Sequence, residues 1–357
     1  KFRRDSAGTG RWPSFLIDAN ASPSVGGTIA GAGVYNQGAT ASLTATASTG
    51  YTFSRWSGDS NETNATISLT ADQGRFVTAY FTLNAYTLSG TSGQGGSISG
   101  TGTFTHGTQA AISAAADQGY AFAGWTGDGI ADPNSATTTI DMTQERNVSA
   151  SFSILRYDLT ASAGAGGTVA GSGTFDWNTS APISATPSTG YSFTGWTGSG
   201  TSSPSDANTT VLMDQDRNVS ATFLINSYDL TTTAGTGGSV SASTTYEHGT
   251  QATITAVADQ GYSFARWTGE GIADANASTT TIDMTQDRNV SVSFSILRQN
   301  LTASASTGGT VTGSGVYDWN TSAPISATPL SGYSFTGWTG SGISSPSDAN
   351  TTVLMTQ

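Results

Sequence analysis

Cysteine is absent from all 357 residues, which removes disulfide staples and thiolate metal sites at once. Lysine occurs once, at Lys1, and the formal net charge is −12. No basic patch is therefore available to neutralise phosphates, which argues against a nucleic-acid partner. The same deficit disfavours anionic membrane surfaces, and no apolar run approaches the ~18 residues needed to span a bilayer. Without lysine beyond the first residue, Lys–Asn isopeptide cross-links are ruled out as well. The only histidines, His106 and His248, lie 142 residues apart. They read as exposed turn residues rather than as a metal or acid–base pair. No serine stands in hydrolase spacing to a histidine and an acid, and triplets such as Gly-Thr-Gly read as turns rather than as a phosphate loop. The reading is of a chain without enzymatic machinery.

What the chain does contain is a period. A Gly-Tyr pair recurs at Gly50, Gly119, Gly190, Gly261 and Gly332, each followed six residues later by Trp56, Trp125, Trp196, Trp267 or Trp338. The spacings are 69, 71, 71 and 71 residues. Such an array overrides the domain count that length alone would suggest. We divide the chain into an N-terminal extension (1–14) and repeats at 15–84, 85–155, 156–226, 227–297 and 298–357. The fifth is incomplete and lacks a closing strand. The first residue is not methionine and no signal-peptide pattern is present, so the sequence reads as a portion of something longer. Glycine is abundant at 45 residues, but aromatics make up 10% of the chain at a strict interval. That placement argues for a packed core in each repeat and against disorder.

The third repeat serves as a template. Tyr157, Leu159 and Ala161 alternate on one face of a first strand, and a second strand through Gly167–Trp177 has Val169 and Phe175 facing inward. Asp176 to Asn178 supply a turn, and a third strand runs through Ile183. After the Pro187–Gly190 turn, Tyr191, Phe193 and Trp196 bring the heaviest apolar load. A variable loop follows. Val211 and Met213, then Val219, Ala221 and Phe223, mark two further strands. No window carries helical periodicity, so the expected fold is all-β or β-rich.

About ten large apolar side chains per repeat, at ~1.5 to 3 kcal/mol each, give on the order of 15 to 30 kcal/mol of gross burial. Ordering some 70 residues costs more than that unless hydrogen bonds and neighbours contribute. Each repeat is thus expected to be marginal alone. The junctions carry Ile154, Leu155, Ile225, Ile296 and Leu297 and no flexible linker composition. We expect these residues to dock one repeat on the next, giving a stiff rod with a length on the order of 150 Å.

Gly-Tyr-x-Phe-x-x-Trp-x-Gly, followed by a variable loop, a "TTTIDMT" strand and a closing "RNVSASF", resembles the bacterial divergent InlB B-repeat family, related to Listeria-Bacteroides repeats. The resemblance covers roughly residues 15–357. It implies a tandem array of small β-grasp-like or β-sandwich-like modules on secreted or surface-anchored bacterial proteins, extracellular in location and serving as stalk, spacer or adhesive region. It carries no catalytic residues. The chain departs from the pattern in having no cysteine pair after the tryptophan, and in writing Arg75-Phe76-Val77 where later repeats have Arg-Asn-Val.

Two further features invite chemistry. Asp128, Asp132 and Asn134, and likewise Glu270, Asp274 and Asn276, place oxygens at spacings that suit calcium. Against this, Ser199 and Ser341 replace the first acid in repeats three and five. The turn position of His106 and His248 becomes Trp177 and Trp319 in the alternate repeats, which doubles the true period. A tryptophan beside a turn Asp and Asn has two readings, burial against a neighbouring repeat or chain and stacking on sugar rings. The expected function is an extracellular structural repeat, a stalk or fibre-forming segment of a surface adhesin, with self-association or neighbouring chains as partners. The alternative is a module that binds glycans or surfaces. No cofactor is expected.

Overall fold

The computed structural model describes residues 12–357; most of the expected N-terminal extension lies outside them. The described chain is built from short strands, and the sole helical segment among those residues is a 3-10 turn at Ser24–Gly26. The first repeat shows the plan. Its strands are β1 (Ser14–Ser22), β2 (Gly27–Ala30), β3 (Gly33–Asn36), β4 (Thr40–Ala47), β5 (Tyr51–Gly58), β6 (Thr66–Thr70) and β7 (Arg75–Leu83). They form a four-stranded sheet in the order β3-β1-β7-β5 and a three-stranded sheet in the order β2-β4-β6. All pairings are antiparallel except β1 with β7, where Ile17 to Ser22 run alongside Arg75 to Tyr80. The first and closing strands of the repeat are thus central neighbours, and the repeat is a small sandwich.

Its core lies between the two sheets. Ile17, Trp56, Val77, Ala79 and Phe81 come from the four-stranded sheet and meet Ala41, Leu43, Ala45, Ile67 and Leu69 from the other. Alternation explains most of this: Val77, Ala79 and Phe81 are every second residue of β7, and their outward neighbours are left to solvent. Trp56 breaks strict alternation with Phe53, and a bulge between Phe53 and Arg55 restores the parity. The extra residue turns the indole inward, opposite Ala79. The same shift occurs between Phe122 and Gly124, Phe193 and Gly195, and Phe264 and Arg266.

The long second strand expected from sequence is two strands in different sheets. In repeat one the chain leaves β2 at Gly31, with φ +92° and a missing Cβ that would otherwise lie 1.9 Å from the Ser42 carbonyl oxygen. With that backbone and that close approach, the position in repeat one has no room for a side chain. In repeat three the break falls between Gly167–Ala170 and Gly173–Asp176. Val169 and Phe175 are half-buried there, in separate sheets.

The chain divides into two compact units. One is built from the described residues up to Tyr157 and takes in Phe175–Thr179; the other comprises Asp158–Thr174 and Ser180–Gln357. The first holds the core centred on Trp56 and a second, around Leu88, Ile112, Trp125, Ile140 and Met142. The other holds a core around Leu230, Ile254, Trp267, Ile282 and Met284, and a smaller one around Ala323, Ile325, Val353 and Met355. In this last repeat Arg298–Leu301 pairs with Gly315–Asp318, and Gly309–Thr312, Ser322–Pro329 and Asn350–Leu354 form the three-stranded sheet.

Candidate functional site: the ring-on-glycine joints

The feature that recurs most regularly is a contact between the Gly-Tyr turn of one repeat and the β3–β4 turn of the next. Gly50, Gly119, Gly190 and Gly261 all have φ between +81° and +84°. A Cβ at these positions would lie 2.0 to 2.1 Å from a ring atom of His106, Trp177, His248 and Trp319 respectively. Each glycine is therefore a socket for one ring. The left-handed backbone favours glycine, and the close ring approach requires the residue to lack a side chain.

A backbone relay runs beneath each ring. Asn84 N–H donates to the Gly50 carbonyl and His106 N–H donates to the Asn84 carbonyl, each at 2.8 Å. Leu155 and Trp177 repeat this at Gly119, Asn226 and His248 at Gly190, and Leu297 and Trp319 at Gly261, all at 2.8 Å. The connecting residue thus donates to the preceding repeat and accepts from the following one, and the ring closes over the pair. Arg156 with Asp176, and Arg298 with Asp318, add ion pairs at 2.9 and 2.8 Å beside the two tryptophan joints. These pairs are solvent-exposed and add little on their own.

Sequence reasoning placed Trp177 and Trp319 correctly at a turn, and both rings are half-buried on a glycine of the preceding repeat. It misjudged His106 and His248. They are half-buried in the same sockets rather than exposed. Their shared register with the tryptophans was the available signal. Among the junction aliphatics, Ile154, Ile225 and Ile296 end the closing strands of their own repeats, opposite Tyr120, Tyr191 and Tyr262. Leu155 and Leu297 are the connecting residues of the relay, and Leu297 keeps 40% of its surface exposed. The junction is carried by a ring, a glycine and two backbone hydrogen bonds, with less apolar seam than the sequence suggests.

The Gly-Tyr tyrosine has its own seat within its repeat. A Cβ on Gly95, Gly166, Gly237 or Gly308 would lie 2.2 Å from the ring of Tyr120, Tyr191, Tyr262 or Tyr333. Three residues after the Phe, the Trp indole N–H holds the variable loop. Trp56 donates to Asn64 O, Trp125 to Ser135 O, Trp196 to Asp206 O, Trp267 to Ala277 O and Trp338 to Asp348 O, at 2.9 to 3.1 Å. A backbone acceptor makes the bond indifferent to loop sequence.

Three of the expected calcium ligands, Asp132, Asp274 and Glu270, have other partners. Asp132 and Asp274 accept from the backbone N–H of Asn134 and Asn276 at 2.9 and 2.8 Å, which closes local turns. Glu270 lies 3.5 Å from Arg288, and Ser199 accepts from the equivalent Arg217 at 2.6 Å. In repeat five the equivalent Ser341 accepts from Gln357 at 2.7 Å. Asp128 is exposed at the loop tip. Among the described residues, no group of three or more His, Asp or Glu side chains is gathered to hold a metal ion. No helix among them is long and apolar enough to cross a membrane.

The family model of the divergent InlB B-repeat domain matches residues 17–85, 86–155, 157–227, 228–297 and 299–357. No curated protein matches the chain. Among solved structures, it aligns with the Bacillus anthracis TIE protein at 8% identity and TM-score 0.36, over 80% of this chain and 76% of that one.

Proposed function

The chain belongs to the divergent InlB B-repeat family, and from that premise we propose that it is an extracellular spacer, a stalk or fibre-forming segment of a bacterial surface protein. The observation that carries this reading is the joint. Within each compact unit the junctions use one relay and one ring-on-glycine contact, which supports a role in which neighbouring repeats are held to one another. The family is typical of surface proteins, in keeping with a location outside the cell. Self-association into a fibre belongs to the same reading and is measurable by sedimentation.

Small-angle scattering on the whole chain tests the role. A spacer of five fixed repeats is expected to reach a maximum dimension on the order of 150 Å. A compact particle, or a broad distribution of dimensions from freely swinging repeats, would contradict it. The alternative of glycan adhesion through Trp177 and Trp319 is weakened because one face of each ring rests on Gly119 or Gly261. A glycan array probed with the whole chain decides between them: hits that vanish in Trp177→Ala/Trp319→Ala, with the fold intact, would favour adhesion.

A further inference from the structure

The four joints share a backbone and differ in chemistry. At Gly119 and Gly261 an indole covers the glycine and the connecting residue is Leu155 or Leu297. At Gly50 and Gly190 an imidazole covers it and the connecting residue is Asn84 or Asn226. The asparagine oxygens are already engaged, since Thr52 Oγ1 donates to Asn84 Oδ1 and Ser192 Oγ to Asn226 Oδ1, both at 2.6 Å. Asn84 Nδ2 is directed to the Tyr86 hydroxyl at 3.4 Å. Nδ1 of His106 and Nδ1 of His248 are buried and have no hydrogen-bond partner.

The titratable groups around the rings are few. Tyr86 and Tyr228 meet the imidazoles edge-on, with ring centroids 6.0 Å apart. On the socket side the residues following the glycines are Tyr51 and Tyr191, and on the histidines' own turns the neighbours are Thr105 and the exposed Glu247. Among the described residues no ion pair reaches either imidazole.

We propose that the two histidine joints are acid-labile and the two tryptophan joints are not, so that acidification loosens alternate junctions of the array. A neutral imidazole leaves one nitrogen unsatisfied at Nδ1. An imidazolium presents an N–H donor at both nitrogens, and the one at Nδ1 is buried where nothing accepts it. The attraction of a charged ring for Tyr86 or Tyr228 returns about two- to fivefold, whereas a buried charged donor without an acceptor costs about tenfold or more. The second effect wins, and the protonated ring leaves its glycine for water. The indole of Trp177 or Trp319 has no proton to take up in this range. This inference concerns the joints themselves and holds whether or not the array serves as a spacer.

Native-state hydrogen exchange on the whole chain, followed by NMR at about pH 7.5 and about pH 5, brackets the range in which imidazole gains its proton. The informative amides are those of the relay: Asn84, His106, Asn226 and His248 against Leu155, Trp177, Leu297 and Trp319. After correction for intrinsic exchange, protection of the first set is expected to fall about two- to fivefold or more at the lower pH, the cost net of the aromatic attraction. The second set is expected to stay unchanged within error. Equal losses in both sets, or an unchanged first set, would overturn the proposal. In the double variant His106→Gln/His248→Gln the pH effect is expected to vanish, and its persistence would show that charge on these rings is not the cause. If that variant fails to hold its joints at either pH, the comparison of the two sets within the unaltered chain decides alone.

Discussion

Repeats four and five contain nearly the same heptapeptide, Gly261–Trp267 and Gly332–Trp338, and fold it differently. In repeat four, Tyr262–Thr268 is a strand laddered to Arg288–Ile296, and Trp267 is 0% exposed. In repeat five no strand among the described residues pairs with Tyr333 to Trp338, Tyr333 is 60% exposed and Trp338 only half-buried. Local contacts survive the difference. Phe335 and Trp338 keep a centroid distance of 5.6 Å and a 58° tilt, close to the 6.0 Å and 55° of Phe264 and Trp267. The Trp338 indole still holds its loop. The motif thus dictates its ring geometry and its loop anchor by itself, while the ladder belongs to the pair of strands. Where the rings of Phe81, Phe152, Phe223 and Phe294 cover Gly27, Gly96, Gly167 and Gly238, the atoms nearest a Cβ on Gly309 belong to the backbone of Thr328 and Pro329. A hollow lined by Gly309, Val311, Ala327, Phe335 and Trp338 lies there instead.

The largest effect expected comes from giving repeat five a partner strand. Appending a copy of residues 287–297 after Gln357 is expected to convert Tyr333–Trp338 into a strand. Burial of its two valines and one phenylalanine would add on the order of 5 kcal/mol to that repeat. Tryptophan emission should move to shorter wavelength and exchange protection should appear at Tyr333–Trp338. An unchanged spectrum would mean that the partner is not what sets the two repeats apart.

Next in size, Trp267→Ala is expected to cost about 3–5 kcal/mol as a large core truncation. Trp338→Ala, starting half-buried, should cost about 1–2 kcal/mol. Denaturant-dependent exchange resolved by repeat measures both, and equal losses would refute the contrast. A smaller pair of changes isolates the joint. Gly261→Ala must accept left-handed backbone and displace the Trp319 ring, for about 2–4 kcal/mol. At Gly332 a Cβ would meet no atom within 4 Å, so Gly332→Ala should show only the backbone cost of about 1–2 kcal/mol.

The smallest effect belongs to the outer surface of repeat one. A hydrogen bond from Arg75 holds the Asp72 carboxyl below its ordinary 3.8. A depressed carboxyl contributes stability that is present above 3.8 and lost as pH falls through the lower folded value. Because the group is fully exposed, Asp72→Asn should leave the melting temperature at neutral pH unaltered within error and remove a slight acid sensitivity below pH 3.8.

Much of this was legible in the residues. The spacing of Trp56, Trp125, Trp196, Trp267 and Trp338 announced five modules, and alternation of Val211 with Met213 and of Val219 with Ala221 announced which faces are buried. Two things escaped. Reading Gly167–Trp177 as one strand missed the crossing between sheets, because a left-handed glycine and an ordinary turn glycine look alike in a sequence. Reading His106 and His248 as exposed missed the sockets, because the partner glycines lie 56 and 58 residues earlier in the chain. No local pattern reports a contact at that separation.

Composition and periodicity determined that this protein is a string of small β modules with inward aromatics, because a period of two and a recurring anchor leave few ways to bury apolar surface. The tertiary structure alone decided that each module splits into two sheets and that, in the first four, the first strand lies beside the last. It also decided that a bare glycine in one module receives a ring from the next. Those outcomes depend on which distant backbones come within hydrogen-bonding reach, and proximity in space is set by the folded chain as a whole.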